Sequence, residues 1–250
     1  MRRVIIVITS VTFAIFGYLI YQYKVQENEL TQLQEYQTVI QEKGVLIYKA
    51  AQDWTKPIFV DLTDFRLEDD YKIMADFSLN FIVQSAEARN SYIRELKAVK
   101  WDKFLDVKRL EKDKKQEYIE TITMFEQVEM MMQLYQESID LHDKEALDQV
   151  KHLKIKPRFR RYMADSFKDN IKQNNGQELL LLEKQNFTKA KVLFTILKNN
   201  KWESRNNMIM FHGEDAPVKE FNQLYKDMIE LDKKIKQINI ANQKAIEKQI

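Results

Sequence analysis

The sequence contains no cysteine and only four glycines and three prolines among its 250 residues. Without cysteine the chain has no disulfide framework, zinc ribbon, redox pair, thiol nucleophile or lipid-modified cysteine anchor. The four glycines are isolated from one another, which excludes the glycine-rich loops that bind nucleotides. Folds with many tight β-turns need glycine, proline or Asn-Gly, and a single Asn-Gly pair occurs, at Asn175-Gly176. These absences favour an all-α fold.

A large excess of one charge is also absent, because 40 Lys and Arg residues are balanced by 38 Asp and Glu residues. Arg2 and Arg3 account for the formal net charge of +2. Proteins that bind nucleic acids generally concentrate a basic excess on one face. We therefore expect no nucleic-acid partner.

A long uncharged segment lies at the amino terminus, over residues 4–23. A helix of this length spans about 30 Å, the thickness of the hydrocarbon core of a bilayer. Two arginines precede the segment and Lys24 follows it, so the positive-inside rule places the amino terminus in the cytoplasm. Residues 1–23 are therefore predicted to be a cytoplasmic tip and a transmembrane signal anchor in a bacterial inner membrane. Residues 24–250 are predicted to form a periplasmic domain.

Two other interpretations of this segment remain open. One is a cleaved signal peptide, with Thr12 and Ala14 as the small residues before the cut, and the other is a buried helix of a soluble domain. An uncleaved anchor is favoured because no small residue between Tyr18 and Leu30 supplies a later cleavage site.

Apolar residues recur at helical spacing along most of residues 24–250, which predicts a bundle of long amphipathic helices. Asp64 is the expected amino-terminal cap of the helix that begins near Leu67. Alternating apolar side chains over residues 208–212 predict a short strand. The predicted helices cover residues 24–53, 67–99, 113–138, 143–153, 157–171 and 177–197 and a last segment from Asp215, with a break at Asn174-Asn175-Gly176.

The last helix has the most regular apolar pattern, a heptad seam typical of a coiled coil. The seam either closes a bundle within the chain or pairs with another chain, which leaves self-association open. Its members are Phe221, Leu224, Met228, Leu231, Ile235, Ile238, Asn242 and Ala245.

Three candidate metal ligands alternate along the predicted strand, at Met208, Met210 and His212. Thioether and imidazole groups bind Cu(I), and Trp202 lies nearby in the sequence. The set resembles the methionine–histidine–tryptophan sites of small periplasmic copper carriers. The simpler interpretation is that these side chains pack against helices, because methionine fills cores readily. No metal is therefore assigned.

A cluster of basic residues between Lys151 and Arg161 is a candidate contact surface. Six cations in eleven residues, interrupted by Pro157 and accompanied by Phe159, would attract phosphate, anionic lipid or an acidic partner. The simpler interpretation is a solvated face without a partner, which is what a run of charges usually forms. The six cations are Lys151, Lys154, Lys156, Arg158, Arg160 and Arg161.

The usual signatures of catalysis and cofactor binding are missing. His142 and His152 do not stand at a metal-ligand spacing, and the sequence has no H-E-x-x-H. No serine lies in a G-x-S-x-G setting. We therefore expect no enzyme activity, no catalytic residue and no cofactor.

The carboxyl-terminal part of the chain carries a resemblance to a known family. From Trp202 onward it contains Asn207-x-Ile209-x-Phe211, a polar loop, and Phe221-Asn222-x-Leu224 at the start of a long helix. This pattern is similar to the end of the YiaF family, helical envelope lipoproteins of enteric bacteria, over about the last fifty residues. The resemblance implies an envelope location and no catalytic residue. The family is anchored by a lipidated cysteine, whereas this chain has an uncharged segment.

These features predict a membrane-anchored, non-enzymatic helical protein of the bacterial envelope that acts through protein or lipid contacts. Its expected partners are the inner membrane and another envelope protein. The alternative is an extracytoplasmic module that binds a small ligand and signals to a membrane partner, because helical bundles form pockets between their helices.

Overall fold

The computed structural model describes residues 27–172, 175–213 and 215–247. Most of these residues are helical, which confirms the predicted helical class. In chain order the elements are α1 (Glu27–Ala51), α2 (Asp69–Ala98), a 3-10 turn (Trp101–Lys103), α3 (Val107–Lys114), α4 (Ile119–His152), α5 (Pro157–Lys172), α6 (Asn175–Asn199), β1 (Trp202–Arg205), β2 (Met208–Phe211) and α7 (Asp215–Glu247).

Some of the predictions concern residues outside the described part. The predicted transmembrane anchor over residues 4–23, the domain boundary at residue 23, Asn174 and the side chain of Ala245 all lie there. Among the helices of the described residues, none combines the length and the apolar character needed to cross a bilayer.

The described part of the chain divides into two compact units, and the first contains residues 27–91, 135–172, 175–177 and 238–247. Its core is formed by α1, α2, the second half of α4, and α5. The ring of Tyr71 packs 5.9 Å from that of Tyr36 and 5.3 Å from that of Phe159. The side chains that are almost completely buried include Tyr36, Met74, Leu79, Ile82, Phe159, Met163 and Phe167.

The second unit contains residues 92–134 and 178–237. An aromatic cluster forms much of its core, with neighbouring ring centroids 5.1 to 5.6 Å apart. Leucines of α3 and α6 complete this core. The aromatic members are Trp101, Phe104, Phe125, Phe187 and Phe194, and the fully buried leucines are Leu110, Leu180, Leu193 and Leu197.

The prediction of a helix from Asp113 to residue 138 is wrong at its start. Asp113 lies in the last turn of α3, and the chain then turns through Glu117 and Tyr118, whose φ angles of 55° and 62° are left-handed. The Asp113 carboxylate accepts the backbone N–H groups of Glu120 and Thr121 at 2.9 and 2.8 Å. It thereby satisfies amide groups at the start of α4 that have no partner within that helix. No glycine or proline marks this turn in the sequence.

Two further boundaries differ from the predictions. The break predicted between residues 138 and 143 is wrong, because α4 continues without interruption through a segment that contains no glycine or proline. Asp64 does not cap α2, which begins at Asp69. Its carboxylate instead accepts the N–H of Arg66 at 3.0 Å, which forms a local turn within the preceding loop.

The predicted strand is present and has a partner that the apolar pattern did not reveal. β1 and β2 form an antiparallel hairpin. The two residues between them, Asn206 and Asn207, have φ angles of 53° and 60°, as a tight hairpin turn of this length requires. Asparagine adopts the left-handed region more readily than most residues, so it replaces glycine here. The Trp202 indole donates to the Tyr118 hydroxyl at 2.8 Å. This bond ties the hairpin to the turn that precedes α4.

Candidate functional site

The loop between α1 and α2, residues 52–68, exposes two large apolar side chains on the first unit. Phe59 and Phe65 are 96% and 90% exposed. Single exposed apolar residues are common, but a phenylalanine with almost no contact to its own chain is suited to a partner surface. Loops longer than about 12 residues without secondary structure are uncommon and often functional. The predicted helices end at residue 53 and resume at residue 67, and no pattern in the sequence between them indicated that these rings face solvent.

Hydrogen bonds hold this loop in place. The Lys43 ammonium donates to the carbonyls of Asp61 and Thr63, both at 2.9 Å. The N–H of Ile58 donates to the Glu87 carboxylate at 2.8 Å. The loop backbone is therefore tied to α1 and α2, so the two phenylalanines are presented by an ordered support.

Arg66 fixes the end of the loop next to Phe65. Its guanidinium contacts Asp64 at 2.8 Å and Glu42 of α1 at 2.5 Å. The hydrogen bond from Arg66 lowers the pKa of Asp64 to about 2. Asp64 and Arg66 therefore stay charged at neutral pH, and they orient the backbone at this position although exposed ion pairs stabilise little.

The predicted basic residues lie on the same unit, and most of them face solvent. Arg160 is half-buried and donates to the carbonyl of Leu153 at 3.2 Å, so it has a structural contact. The other five are exposed and are called the basic surface: Lys151, Lys154, Lys156, Arg158 and Arg161.

The start of α5 adds to the positive potential of the basic surface. The amino-terminal end of a helix carries a partial positive charge that acidic residues commonly offset. The first turn of α5, which begins at Pro157, has no acidic residue. The guanidinium of Arg158 instead lies 4.8 Å from the centre of the Phe159 ring. An anion near this helix end would therefore be favoured by both side chains and backbone.

Nearby carboxylates offset only part of this charge. Lys151 lies 3.3 Å from Asp148, and Lys156 lies 3.9 Å from Asp70. Both lysines are exposed, so these pairs are weak. Within the described part of the chain, Lys154 and Arg161 form no ion pair. The five cations of the basic surface therefore outnumber Asp148 and Asp70, the two carboxylates named here.

The basic surface and Phe65 lie at the same end of the first unit. Asp70, at the start of α2, contacts Lys156 and follows Phe65 by only a few residues. Beneath this contact the rings of Tyr71 and Phe159 pack 5.3 Å apart. The starts of α2 and α5 are therefore adjacent. The loop that exposes Phe65 leads into this end of the unit through Glu68 and Asp69, which are also exposed.

The three candidate metal ligands lie on the second unit. Met208 and Met210 share one face of the hairpin and are 58% and 42% exposed, so they do not pack in a core. Trp202 is buried on the opposite face, because cross-strand pairs alternate between the two faces of a hairpin. Trp202 therefore cannot contribute to a site with the two methionines. The set lacks the tryptophan of the copper-carrier sites that it resembles in sequence. His212 is exposed, with Nε2 3.5 Å from a Glu203 carboxylate oxygen.

The heptad seam of α7 lies on the less exposed face of that helix. Leu231 and Ile235 are buried, and the ring of Phe221 packs 5.4 Å from that of Phe211. Leu224, Met228 and Ile238 are half-buried, and Asn242 is buried.

Polar contacts beside the seam join α7 to α6 within the second unit. The Lys189 ammonium lies 2.7 Å from the Asp227 carboxylate, and the Asn186 amide donates to Asp232 at 3.2 Å. This part of α7 therefore packs against α6 of the same chain. This is the first of the two predicted alternatives, in which the seam closes a bundle within the chain.

Replacing Ile235 with alanine is expected to lower the free energy of unfolding by about 2 to 4 kcal/mol, because it removes three buried carbons from a packed site. Ile229 lies on the same helix and is 39% exposed, so Ile229→Ala should change stability by less than about 1 kcal/mol. Urea denaturation followed by circular dichroism measures both. Equal effects of the two substitutions would show that the seam is not a packed face.

The chain matches no protein-family model, no curated protein and no solved structure. The resemblance of its last residues to the YiaF family therefore stays a prediction.

Proposed function

We propose that this chain is a membrane-anchored, non-enzymatic helical protein of the bacterial envelope, and that its first unit binds the surface of an anionic phospholipid bilayer. The observation that carries the proposal is the contact between Lys156 and Asp70, which brings the basic surface next to the end of the loop that exposes Phe65. Cations and an aromatic side chain on one face are the combination that favours the interfacial region of a membrane.

The two parts of this surface would contribute in different ways. Each Lys or Arg close to an anionic leaflet contributes about 1 kcal/mol to binding, and salt screens this attraction. A phenylalanine that enters the interface removes apolar area from water, at about 25 cal/mol for each Å². Phe59 and Phe65 are exposed almost completely, so nearly their whole side chains are available for such burial.

A predicted anchor supports the lipid as the partner. Residues 4–23 carry no charged side chain and are expected to span the membrane. An anchored chain meets the bilayer at a high effective concentration, so a weak surface contact is sufficient. An acidic protein would form ion pairs with the cations, but its negative charge would not explain why a phenylalanine of the neighbouring loop is almost fully exposed.

The proposal is tested with the full chain reconstituted into vesicles. Because the chain has no cysteine, Phe65→Cys carries a single environment-sensitive fluorophore. We expect its emission to shift to the blue in vesicles that contain phosphatidylglycerol, and not in vesicles of phosphatidylcholine alone. Reversing the charges of Lys154 and Arg161 to Glu should reduce the ratio of docked to free molecules at least about tenfold, since two attractive contacts become repulsive.

Two controls make this result specific. Lys233→Glu with Lys234→Glu changes the net charge by the same amount on exposed positions of α7 and should leave the blue shift intact. A fluorophore at Asn222→Cys, exposed on α7, should show no dependence on lipid charge. A blue shift that is equal in neutral and anionic vesicles would contradict the proposal. So would a shift that appears only when an acidic protein is added.

A further inference from the structure

The first unit contains a small cavity between α2 and α4. Its volume is about 160 Å³, and Ala88, Tyr135 and Ile139 provide apolar surface. Ser85 and Asp143 are among its polar lining residues. A cavity of about 150 Å³ holds a molecule of the size of benzene. The space therefore suits a ligand of roughly six non-hydrogen atoms.

Asp143 is the unusual member of this lining. Its side chain lies on the inward face of α4 and the residue is only 7% exposed. Its Oδ2 atom is buried and has no hydrogen-bond partner. Buried carboxylates are normally paired or fully hydrogen-bonded, because an unsatisfied charge in the interior is unfavourable. An acceptor without a donor at the wall of a cavity can be satisfied by a bound molecule that supplies one.

The surroundings of Asp143 select the charge of such a ligand. Asp143 also lines an adjoining open groove, together with Asp140, Glu145 and Asp148. The groove contains two lysines, and one of these, Lys151, lies 3.3 Å from Asp148. Negative side chains therefore outnumber positive ones along this groove. Such a field attracts cations and repels carboxylates and phosphates.

A metal ion is not the cation that this geometry favours. Within the described residues, no group of three or more His, Asp or Glu side chains could hold one. His142, which also lines the cavity, has its ring stacked on Phe81 at 4.5 Å and its Nε2 3.4 Å from the Phe81 carbonyl. Its imidazole therefore contacts Phe81 and does not join Asp143 in binding an ion. An organic ammonium group needs only one carboxylate and an apolar wall for its stem.

We infer that this cavity binds a small organic ammonium ion, whose N–H group donates to Oδ2 of Asp143 and whose apolar stem contacts Ala88, Tyr135 and Ile139. The guanidinium of Arg89 lies 5.7 Å from the centre of the Tyr135 ring, so this ring serves the ligand as an apolar wall. This site does not depend on the lipid contact, because it uses α2 and α4 and none of the residues of the basic surface that are altered to test that contact.

Calorimetric titration of the full chain in detergent micelles with butylammonium chloride tests the inference. We expect saturable binding in about the millimolar range or tighter, given the size of the probe. Asp143→Asn should weaken it at least about tenfold, because a charge-assisted hydrogen bond is lost. Asp165→Asn, an exposed position of α5, should leave it unchanged. Thermal unfolding of each variant verifies that it is folded.

The competing occupants give different results, and each of them overturns the inference. Equal affinity for butan-1-ol would mean that only an apolar cavity is present. Displacement of butylammonium by Mg²⁺ or Ca²⁺ would mean a metal site. Unchanged affinity in Asp143→Asn would place the ammonium elsewhere, and absence of saturable binding in the wild-type chain would mean that no such site exists.

Discussion

Replacing Asp113 with alanine is expected to lower the free energy of unfolding by about 3 to 5 kcal/mol, the largest effect of any single substitution considered. Asp113 is 2% exposed. Its carboxylate accepts the N–H of Glu120 at 2.9 Å, the N–H of Thr121 at 2.8 Å and the Thr121 hydroxyl at 2.5 Å. Arg109 lies 3.6 Å away. Alanine would leave the donors of Glu120 and Thr121 without their acceptor and would remove a counter-charge from the half-buried Arg109 guanidinium.

The position of Asp113 explains why the effect exceeds that of an ordinary helix cap. Its carboxylate contacts the first turn of α4, where the helix dipole favours a negative charge. The same residue accepts the N–H of Tyr118 through its backbone carbonyl at 2.9 Å. It therefore closes the turn between α3 and α4 and starts the longer helix at the same time.

Asp106→Ala is the matched control for Asp113→Ala. Asp106 is the exposed cap of α3 and accepts the N–H of Arg109 at 3.0 Å, so its loss should cost about 1 kcal/mol. Urea denaturation, followed by circular dichroism and by the fluorescence of the buried Trp202, measures both variants. If Asp113→Ala is no more destabilising than Asp106→Ala, the carboxylate of Asp113 does not organise this turn.

Replacing Asp143 with asparagine is expected to stabilise the protein at pH 7 by about 2 kcal/mol. Burial, with a smaller contribution from Asp140, raises the pKa of Asp143 from its ordinary value of 3.8 to about 6. A difference of about two pKa units corresponds to about 3 kcal/mol, and the buried amide recovers somewhat less because it also needs partners.

The sign of the pH dependence provides a second measurement. Because the folded state binds the proton of Asp143 more tightly than the unfolded state, this residue destabilises the fold fully above pH 6 and not at all below about pH 4. The advantage of Asp143→Asn over the wild-type chain should therefore be present at pH 7 and disappear as the pH falls to 4. Comparing the two chains at each pH cancels the titration of all other groups.

Asp165→Asn again serves as the control, because an exposed carboxylate should give no such difference. An asparagine variant that is less stable than the wild-type chain at pH 7 would mean that Asp143 is stabilised in the ionised form. A buried group that destabilises the fold and lines a cavity is typical of a binding site. This stability measurement and the titration with butylammonium are independent tests of the same residue.

Helices with an uninterrupted apolar stripe were the elements that could be predicted most closely. The segment predicted over residues 67–99 is observed as Asp69–Ala98, and that over residues 157–171 is observed as Pro157–Lys172. In the second case proline at the first helical position marks the start, because it fits there and not further along. Both predictions depend on short-range spacing, which the sequence displays directly.

The turns were predicted less well because their causes are specific side-chain contacts. The chain leaves α3 through left-handed residues without a glycine, and the Asp113 carboxylate compensates by binding the start of α4. The hairpin turn likewise uses Asn206 and Asn207 where glycine is more common. A count of glycines does not reveal either turn.

The sequence by itself determined the helical class, the bounds of two of the helices and the clustering of cations between Lys151 and Arg161. Each of these depends on residues that are close together in the chain. Only the tertiary structure decided which side chains face solvent and which face a cavity. In the sequence, nothing distinguishes Phe65 from a phenylalanine of the core, and nothing distinguishes Asp143 from the other acidic residues, of which the chain has 38 in all. The exposure of Phe65 and the burial of Asp143 follow from packing among distant helices and loops, and short-range spacing does not encode that packing.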